Sequence, residues 1–186
     1  MSALKVHLGC GKRRLAGYAH VDLADYPHID HRHDIRTLPM FADGTVDLLY
    51  ASHTLEYFDR VEVREVLAAW RRVLRPGGTL RLAVPDFEAL ARVYLDSGNL
   101  GLVIGPLYGR WEVPGGPVLH HRTVYDFAAL KGVLEDCGFA GVRRWDWREI
   151  FTGELAGYDD YSQAYIPHMD KDHGRLISLN VEADKA

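Results

Sequence analysis

Val6-His7-Leu8-Gly9-Cys10-Gly11 is a short apolar run that breaks on two glycines with one residue between them. Glycine takes positive φ without steric cost and lets backbone N–H groups approach a ligand closely. A strand ending this way predicts a ligand-binding turn or an ordinary strand-to-helix turn. The rest of the chain supplies the context. Strand-like apolar runs alternate with helix-period patterns, the mark of an α/β fold on a mainly parallel sheet. The candidate strands are residues 4–8, 19–23, 46–52, 79–84, 142–146 and 176–181, with a weaker one at 29–33. In open sheets of this kind ligands bind beyond the carboxyl ends of the strands, where Gly9 and Gly11 stand.

Three helices follow from spacing and caps. Asp59 and Glu62 form a capping box ahead of Val66, Leu67, Trp70, Val73 and Leu74, and Pro76-Gly77-Gly78 ends that pattern. Thr123 and Asp126 repeat the cap spacing before Phe127, Leu130, Leu134 and Cys137, with Gly138 as the stop. A third helix, residues 87–95, starts after Asp86 as N-cap and stops at Ser97-Gly98. Residues 99–120 carry five glycines and three prolines and read as a long functional loop, which Tyr108 and Trp111 turn into a packed lid. Residues 151–174, rich in Tyr, Asp and His, form a second irregular stretch on the same side of a site. Within it, residues 159–168 have the polar and aromatic types of a sugar or phenol pocket, or of a solvated loop.

Composition narrows the function classes. The chain has 186 residues, which predicts a single domain over 1–186 with 99–120 and 151–174 as substrate-side segments. Hydrophobic residues at 47% and charged residues at 26% exclude a disordered chain. No apolar run approaches the ~20 residues that span a bilayer, and the first residues lack the apolar stretch of a signal peptide. A cytoplasmic protein without a membrane partner is expected. Cys10 and Cys137 are too few for a disulfide framework and are expected as free thiols. A net charge of −4, with Arg13-Arg14, Arg71-Arg72 and Arg143-Arg144 dispersed, gives no footprint for duplex nucleic acid. The partner expected is a small molecule, and nothing in the sequence points to an oligomeric state. His28, His31, His33 and Asp34 lie on no fixed helix or strand geometry, so no metal is expected.

The glycine turn can be tested against the dinucleotide fingerprint Gly-x-Gly-x-x-Gly. Its third glycine would fall where Arg14 stands, and the acidic residue expected about 20 positions on is replaced by Asp22, eleven after Gly11. A pyrophosphate-binding NAD site, and with it an oxidoreductase, is disfavoured. A nucleoside without a pyrophosphate stays open, since Asp22 at a strand end can accept both ribose hydroxyls.

Leu8-Gly9-Cys10-Gly11, Val21-Asp22-Leu23, Asp34-Ile35-Arg36-Thr37-Leu38-Pro39, the run from Val46 through Ser52-His53 to Glu56, and Arg72 through Pro76-Gly77-Gly78 to Val84-Pro85-Asp86 follow one another in order. Over about the first 90 residues this resembles the class I S-adenosylmethionine-dependent methyltransferases, in a small, poorly characterised branch, and the later Gly138-Phe139 is similar too. The resemblance implies a doubly wound, mainly parallel seven-stranded sheet, Rossmann-like, with the last strand antiparallel. It implies S-adenosylmethionine as cofactor. Gly9 and Gly11, with Cys10 between them, would hold the methionine part. Asp22 would bind the ribose, and Asp34 with the backbone near Ile35 and Leu38 would recognise adenine. Ser52 and His53 would lie near the sulfonium. Two departures stand out: His7 occupies a position that is acidic in many relatives, and residues 12–18 leave room for two helical turns at most, a shortened first helix.

Methyl transfer from a sulfonium is an in-line displacement in which alignment is the main help a protein gives. For an alcohol acceptor a base is useful, and histidine has the pKa nearest neutrality. The candidates are His53, as contact or structural residue; His121, as general base or helix-entry residue; and Asp86, as functional carboxylate or N-cap alone. The expected reaction is methylation of a small molecule, at oxygen, on a saccharide or secondary metabolite. The alternative is a regulatory module that binds S-adenosylmethionine or a nucleoside without turnover.

Overall fold

The computed structural model describes residues 3–186. In chain order the elements are β1 (Lys5–Leu8), β2 (Ala19–Asp22), β3 (His31–Arg32), β4 (Val46–Ser52), α1 (Glu62–Val73), β5 (Leu74–Pro85), α2 (Phe87–Ser97), α3 (Ile104–Leu107), β6 (Arg110–Glu112), β7 (Val118–His120), α4 (Phe127–Asp136), β8 (Phe139–Arg144), α5 (Trp147–Ile150), β9 (Tyr165–Ile166), β10 (Arg175–Leu176) and β11 (Ser178–Lys185). Seven strands form one sheet in the order β3-β2-β1-β4-β5-β11-β8. β11 runs antiparallel to both of its neighbours, and the pairs from β3 to β5 are parallel. This is the expected α/β architecture.

The main core gathers Val6, Leu8, Val21, Leu49, Leu80, Leu82 and Leu179 from the strands with Val66, Leu67 and Trp70 of α1 and Leu130 and Leu134 of α4. The α1 start is the capping box expected: Asp59 Oδ1 accepts the Glu62 N–H at 2.9 Å, and Glu62 Oε2 accepts the Asp59 N–H at 3.3 Å. For α4 the cap is Asp126 rather than Thr123, its Oδ1 accepting the Ala129 N–H at 2.7 Å. The Pro76-Gly77-Gly78 turn expected to separate helix from strand is instead taken into β5. The register with β4 slips between Val46 and Leu48, and Gly77 sits at φ 67° within that bulge.

The larger correction concerns the segment after the glycines. A shortened helix was expected over residues 12–18, and the structure has turns there with no helix. Seven residues must carry the chain back along a four-residue strand of about 13 Å, and as helix they would cover about 10 Å with none left to turn. Turns at Arg13 and Tyr18 do the work, and the Leu15 N–H donates to His20 Nε2 at 2.9 Å. Leu15 is buried in a second cluster with Tyr50, Ala83, Trp145 and Phe151, so residues 145–158 help to cover the sheet face that the missing helix leaves bare. Residues 99–120 are no open loop: they hold α3 and the antiparallel hairpin β6–β7. Among the described residues no helix is long and apolar enough to cross a membrane.

Candidate functional site

A cavity of about 370 Å³ opens beyond the carboxyl ends of β1, β2 and β4. Its floor is Gly9, Cys10, Gly11, Asp22, Ser52, His53 and Thr54, with Asp34, Ile35 and Arg36 on one side. The hairpin β6–β7 roofs it with Trp111, Leu119 and His120, and Tyr158, Asp160 and Tyr161 close the far wall beside His7.

Gly9 has φ 61°, and a Cβ there would stand 2.6 Å from Thr54 Cγ2, so only glycine lets β1 end against the segment after β4. Asp22 braces the turn, its Oδ2 accepting the Gly11 N–H at 2.8 Å and its Oδ1 the Ala24 N–H at 2.7 Å. Two oxygens offer about four acceptor positions, so the carboxylate still has capacity for a diol. Asp34 accepts the Arg36 N–H at 2.9 Å and its guanidinium at 2.7 Å, and that guanidinium lies over the Phe58 ring. Ile35 is pinned through its carbonyl, which accepts from Trp70 Nε1 at 2.7 Å. Leu38, expected near adenine, is fully buried in the main core and lines no part of the cavity.

His53 has φ 50°, a left-handed conformation rare outside glycine and common where geometry serves a site. Its tautomer follows from its partners. Asn180 Nδ2 donates to the Ser162 carbonyl, so Asn180 Oδ1 accepts the Ser178 hydroxyl proton at 2.9 Å, and Ser178 Oγ in turn accepts from His53 Nε2 at 3.0 Å. The lone pair of His53 is therefore on Nδ1, which faces Glu56 Oε1 at 3.6 Å. His121 is arranged alike: Nδ1 donates to the Pro106 carbonyl at 2.9 Å, leaving Nε2 as the acceptor 3.7 Å from the same oxygen. Glu56 is wholly buried with both oxygens lacking a hydrogen bond, and burial pushes its pKa up to about 8. Burial, then His121 and Arg13, bring His53 down to about 3. Two neutral imidazoles thus flank a carboxyl that keeps its proton at neutral pH.

Ser178 thus engages Nε2 of His53, and its Nδ1 faces Glu56 without a hydrogen bond. His121 does not line the cavity, whereas its neighbour His120 does. Asp86 does not line it either; it caps α2, accepting the Glu88 N–H at 3.1 Å and the Ala89 N–H at 3.3 Å, and stands 3.8 Å from Arg144. Sequence reasoning assigned no role to Glu56, His120 or Tyr158, whereas Trp111 and Asp160 fall in the lid and the polar, aromatic stretch it placed on the substrate side. The signal for the roof was present: Pro114-Gly115-Gly116-Pro117 between two short runs is hairpin punctuation.

Three buried polar atoms without a partner in the protein, His7 Nδ1, Ser52 Oγ and Tyr158 OH, belong to residues that line this cavity. Orphaned groups of this kind call for a polar ligand. With the glycine turn and the Asp22 carboxylate they fit a nucleoside bearing an amino-acid arm.

Residues 6–82 match the family model described as a methyltransferase domain. A stretch of 103 residues, 55% of this chain, is 36% identical to the hybrid PKS-NRPS synthetase prlS of a fungal species, of which it spans 2%. The chain spans only a small part of the curated relatives it matches. Among solved structures it is similar to an S-adenosylmethionine-dependent methyltransferase from Mesorhizobium loti, with 19% identity, TM-score 0.53, and 98% of this chain and 90% of that one covered. A second, a SAM-dependent methyltransferase from Archaeoglobus fulgidus, gives 16% identity and TM-score 0.56, covering 99% and 87%. At these identities the two structures establish the fold.

Proposed function

We propose that this chain is a class I S-adenosylmethionine-dependent methyltransferase, on the match of residues 6–82 and on its fold, and that it moves the cofactor's methyl group to an oxygen of a small secondary metabolite held beneath the hairpin β6–β7. The observation that carries the reading is the meeting around one cavity of the Gly9–Gly11 turn, the Asp22 carboxylate and three residues, His7, Ser52 and Tyr158, that each bear a buried polar atom without a partner in the protein. When bound, the cofactor supplies an electrophilic methyl carbon on sulfur. The protein's own share is to hold and align. Asp22 would take the ribose hydroxyls, Asp34 and Ile35 would flank the adenine, and Ser52 would meet the amino-acid arm. Trp111 and Leu119 cover the acceptor and exclude water, which strengthens every polar contact below them.

His53 and His121 act as struts in this reading, one nitrogen of each held by Ser178 or by the Pro106 carbonyl and the other turned toward Glu56. His120, on the roof, takes the acceptor's proton. The partial match to a polyketide and peptide synthetase favours a secondary metabolite over a saccharide as the acceptor.

Incubation with methyl-labelled S-adenosylmethionine and a panel of hydroxylated aromatic and polyketide-like acceptors, read as S-adenosylhomocysteine formed, tests the proposal. Product formed only with acceptor, and lost in His120→Ala, supports it. Tight cofactor binding with no turnover across the panel would favour the regulatory module, and no binding of either cofactor form would refute both.

A further inference from the structure

Asp160 is 4% exposed, and it lines the cavity on the wall beside His7. Three neutral donors hold its carboxylate, Tyr50 OH on Oδ2 at 2.6 Å and the Ser162 N–H and hydroxyl on Oδ1 at 2.8 and 2.6 Å, which leaves acceptor capacity on Oδ2. All three partners are donors, so both oxygens act as acceptors, and among the described residues no Lys, Arg or His nitrogen comes within ion-pair distance of them. Burying a carboxylate without a cationic partner is costly, and a ligand that brings a positive charge would offset that cost.

The surroundings identify that ligand's charged end. Tyr50, which donates to Asp160, packs on the His7 ring at 5.1 Å between centroids, and His7 stands two residues before Gly9. Here the imidazole is buried and kept neutral by that burial and by His20 and His28, so position 7 offers no negative charge. Segment 158–161 reaches the same wall from the far end of the chain and is fastened there by Arg13, whose Nε donates to the Asp159 carbonyl at 2.7 Å and whose guanidinium lies 4.7 Å from the Tyr161 ring centre. No helix stands at the glycine turn to fill this space.

We propose that Asp160 is the counter-ion of the cofactor's α-ammonium group. The inference rests on the cofactor reading of the cavity. It makes Asp160 a determinant of cofactor choice: ligands that carry an α-ammonium are held more tightly than nucleosides without one.

Calorimetric titration of wild type and Asp160→Asn with S-adenosylhomocysteine and with its deamino analogue, in which hydrogen replaces the α-amino group, isolates this contact. Wild type should prefer S-adenosylhomocysteine at least tenfold. Asp160→Asn should lose that preference while binding the deamino analogue as wild type does. Equal weakening of both ligands would make Asp160 a strut for Tyr50 and overturn the proposal, as would preserved discrimination in the variant or none in wild type. Wild type that binds neither ligand would overturn the cofactor reading itself. If Asp160→Asn does not fold, a crystal structure of wild type with S-adenosylhomocysteine decides: an ammonium nitrogen within about 3.2 Å of Asp160 supports the assignment, and one held elsewhere refutes it.

Discussion

Asp22 Oδ2 accepts the Gly11 N–H at 2.8 Å, so the carboxylate ending β2 holds the shape of the turn ending β1. One side chain thereby serves two ends: it organises the glycine turn, and in the proposed function it reads the ribose.

Asp22→Ala should move both. Losing a charged acceptor should weaken S-adenosylhomocysteine binding by about 1.5–3 kcal/mol, and stranding the Gly11 and Ala24 N–H groups should cost roughly another 1–3 kcal/mol of stability. Calorimetry and urea unfolding read the two effects separately. A variant with wild-type affinity would move the ribose contact elsewhere.

The two glycines of the turn should respond differently to alanine. At Gly11, φ is 54° and the space for a Cβ is open, so Gly11→Ala should cost only the left-handed penalty of roughly 1–2 kcal/mol. At Gly9 the new Cβ meets Thr54, and overpacking adds about 1–3 kcal/mol. Unfolding midpoints should rank wild type above Gly11→Ala above Gly9→Ala, and Thr54→Ala should return part of the last loss. The reverse order would contradict the contact with Thr54.

Glu56 predicts a pH signature. Its pKa rises from about 4.5 to about 8 on folding, so the folded chain holds a proton that the unfolded chain releases in that window. Its contribution is fully present below about pH 4.5 and is lost as pH rises through about 8. His53, lowered from 6.5 to about 3, works in the opposite sense and only below pH 6.5. Between pH 6.5 and 9 wild type should therefore lose stability, on the order of a few kcal/mol. Glu56→Gln should be flat there, because its amide can donate to His53 Nδ1 or His121 Nε2 at any pH. Parallel stability curves for the two proteins would mean that Glu56 is ionised in the fold.

Trp111→Ala opens the roof without touching the floor. Removing the indole should raise the acceptor KM roughly ten- to a hundredfold, matching about 1.5–3 kcal/mol of lost apolar contact, with S-adenosylhomocysteine affinity unchanged. A fall in cofactor affinity instead would place the adenine under the hairpin.

The strand framework was legible because burial on both faces writes continuous apolar runs: the observed bounds of β4, Val46–Ser52, are those of its run. The first helix was misjudged because its absence comes from the length of chain available, and the cover that replaces it lies at Trp145 and Phe151. The floor of the cavity was readable in Gly9, Gly11 and Asp22, which sit close in sequence and at strand ends. Glu56 with His121, and Tyr50 with Asp160, meet across 65 and 110 positions, and no local pattern announces such meetings.

The place of β11 has a consequence for synthesis. β8 pairs with β11 alone, and β11 also supplies Ser178 and Asn180, which orient His53 from 125 residues away. A nascent chain that has emerged as far as Arg144 can assemble the sheet from β3 to β5 and nothing past it. The fifth strand then presents an open edge, and β8 waits without a neighbour, until residues 178–185 clear the ribosome tunnel and slide in between. Translation order thus makes His53 among the last parts of the cavity to be set, and a release of the chain short of Ser178 yields an unfinished sheet with a sticky flank for proteases and chaperones to find.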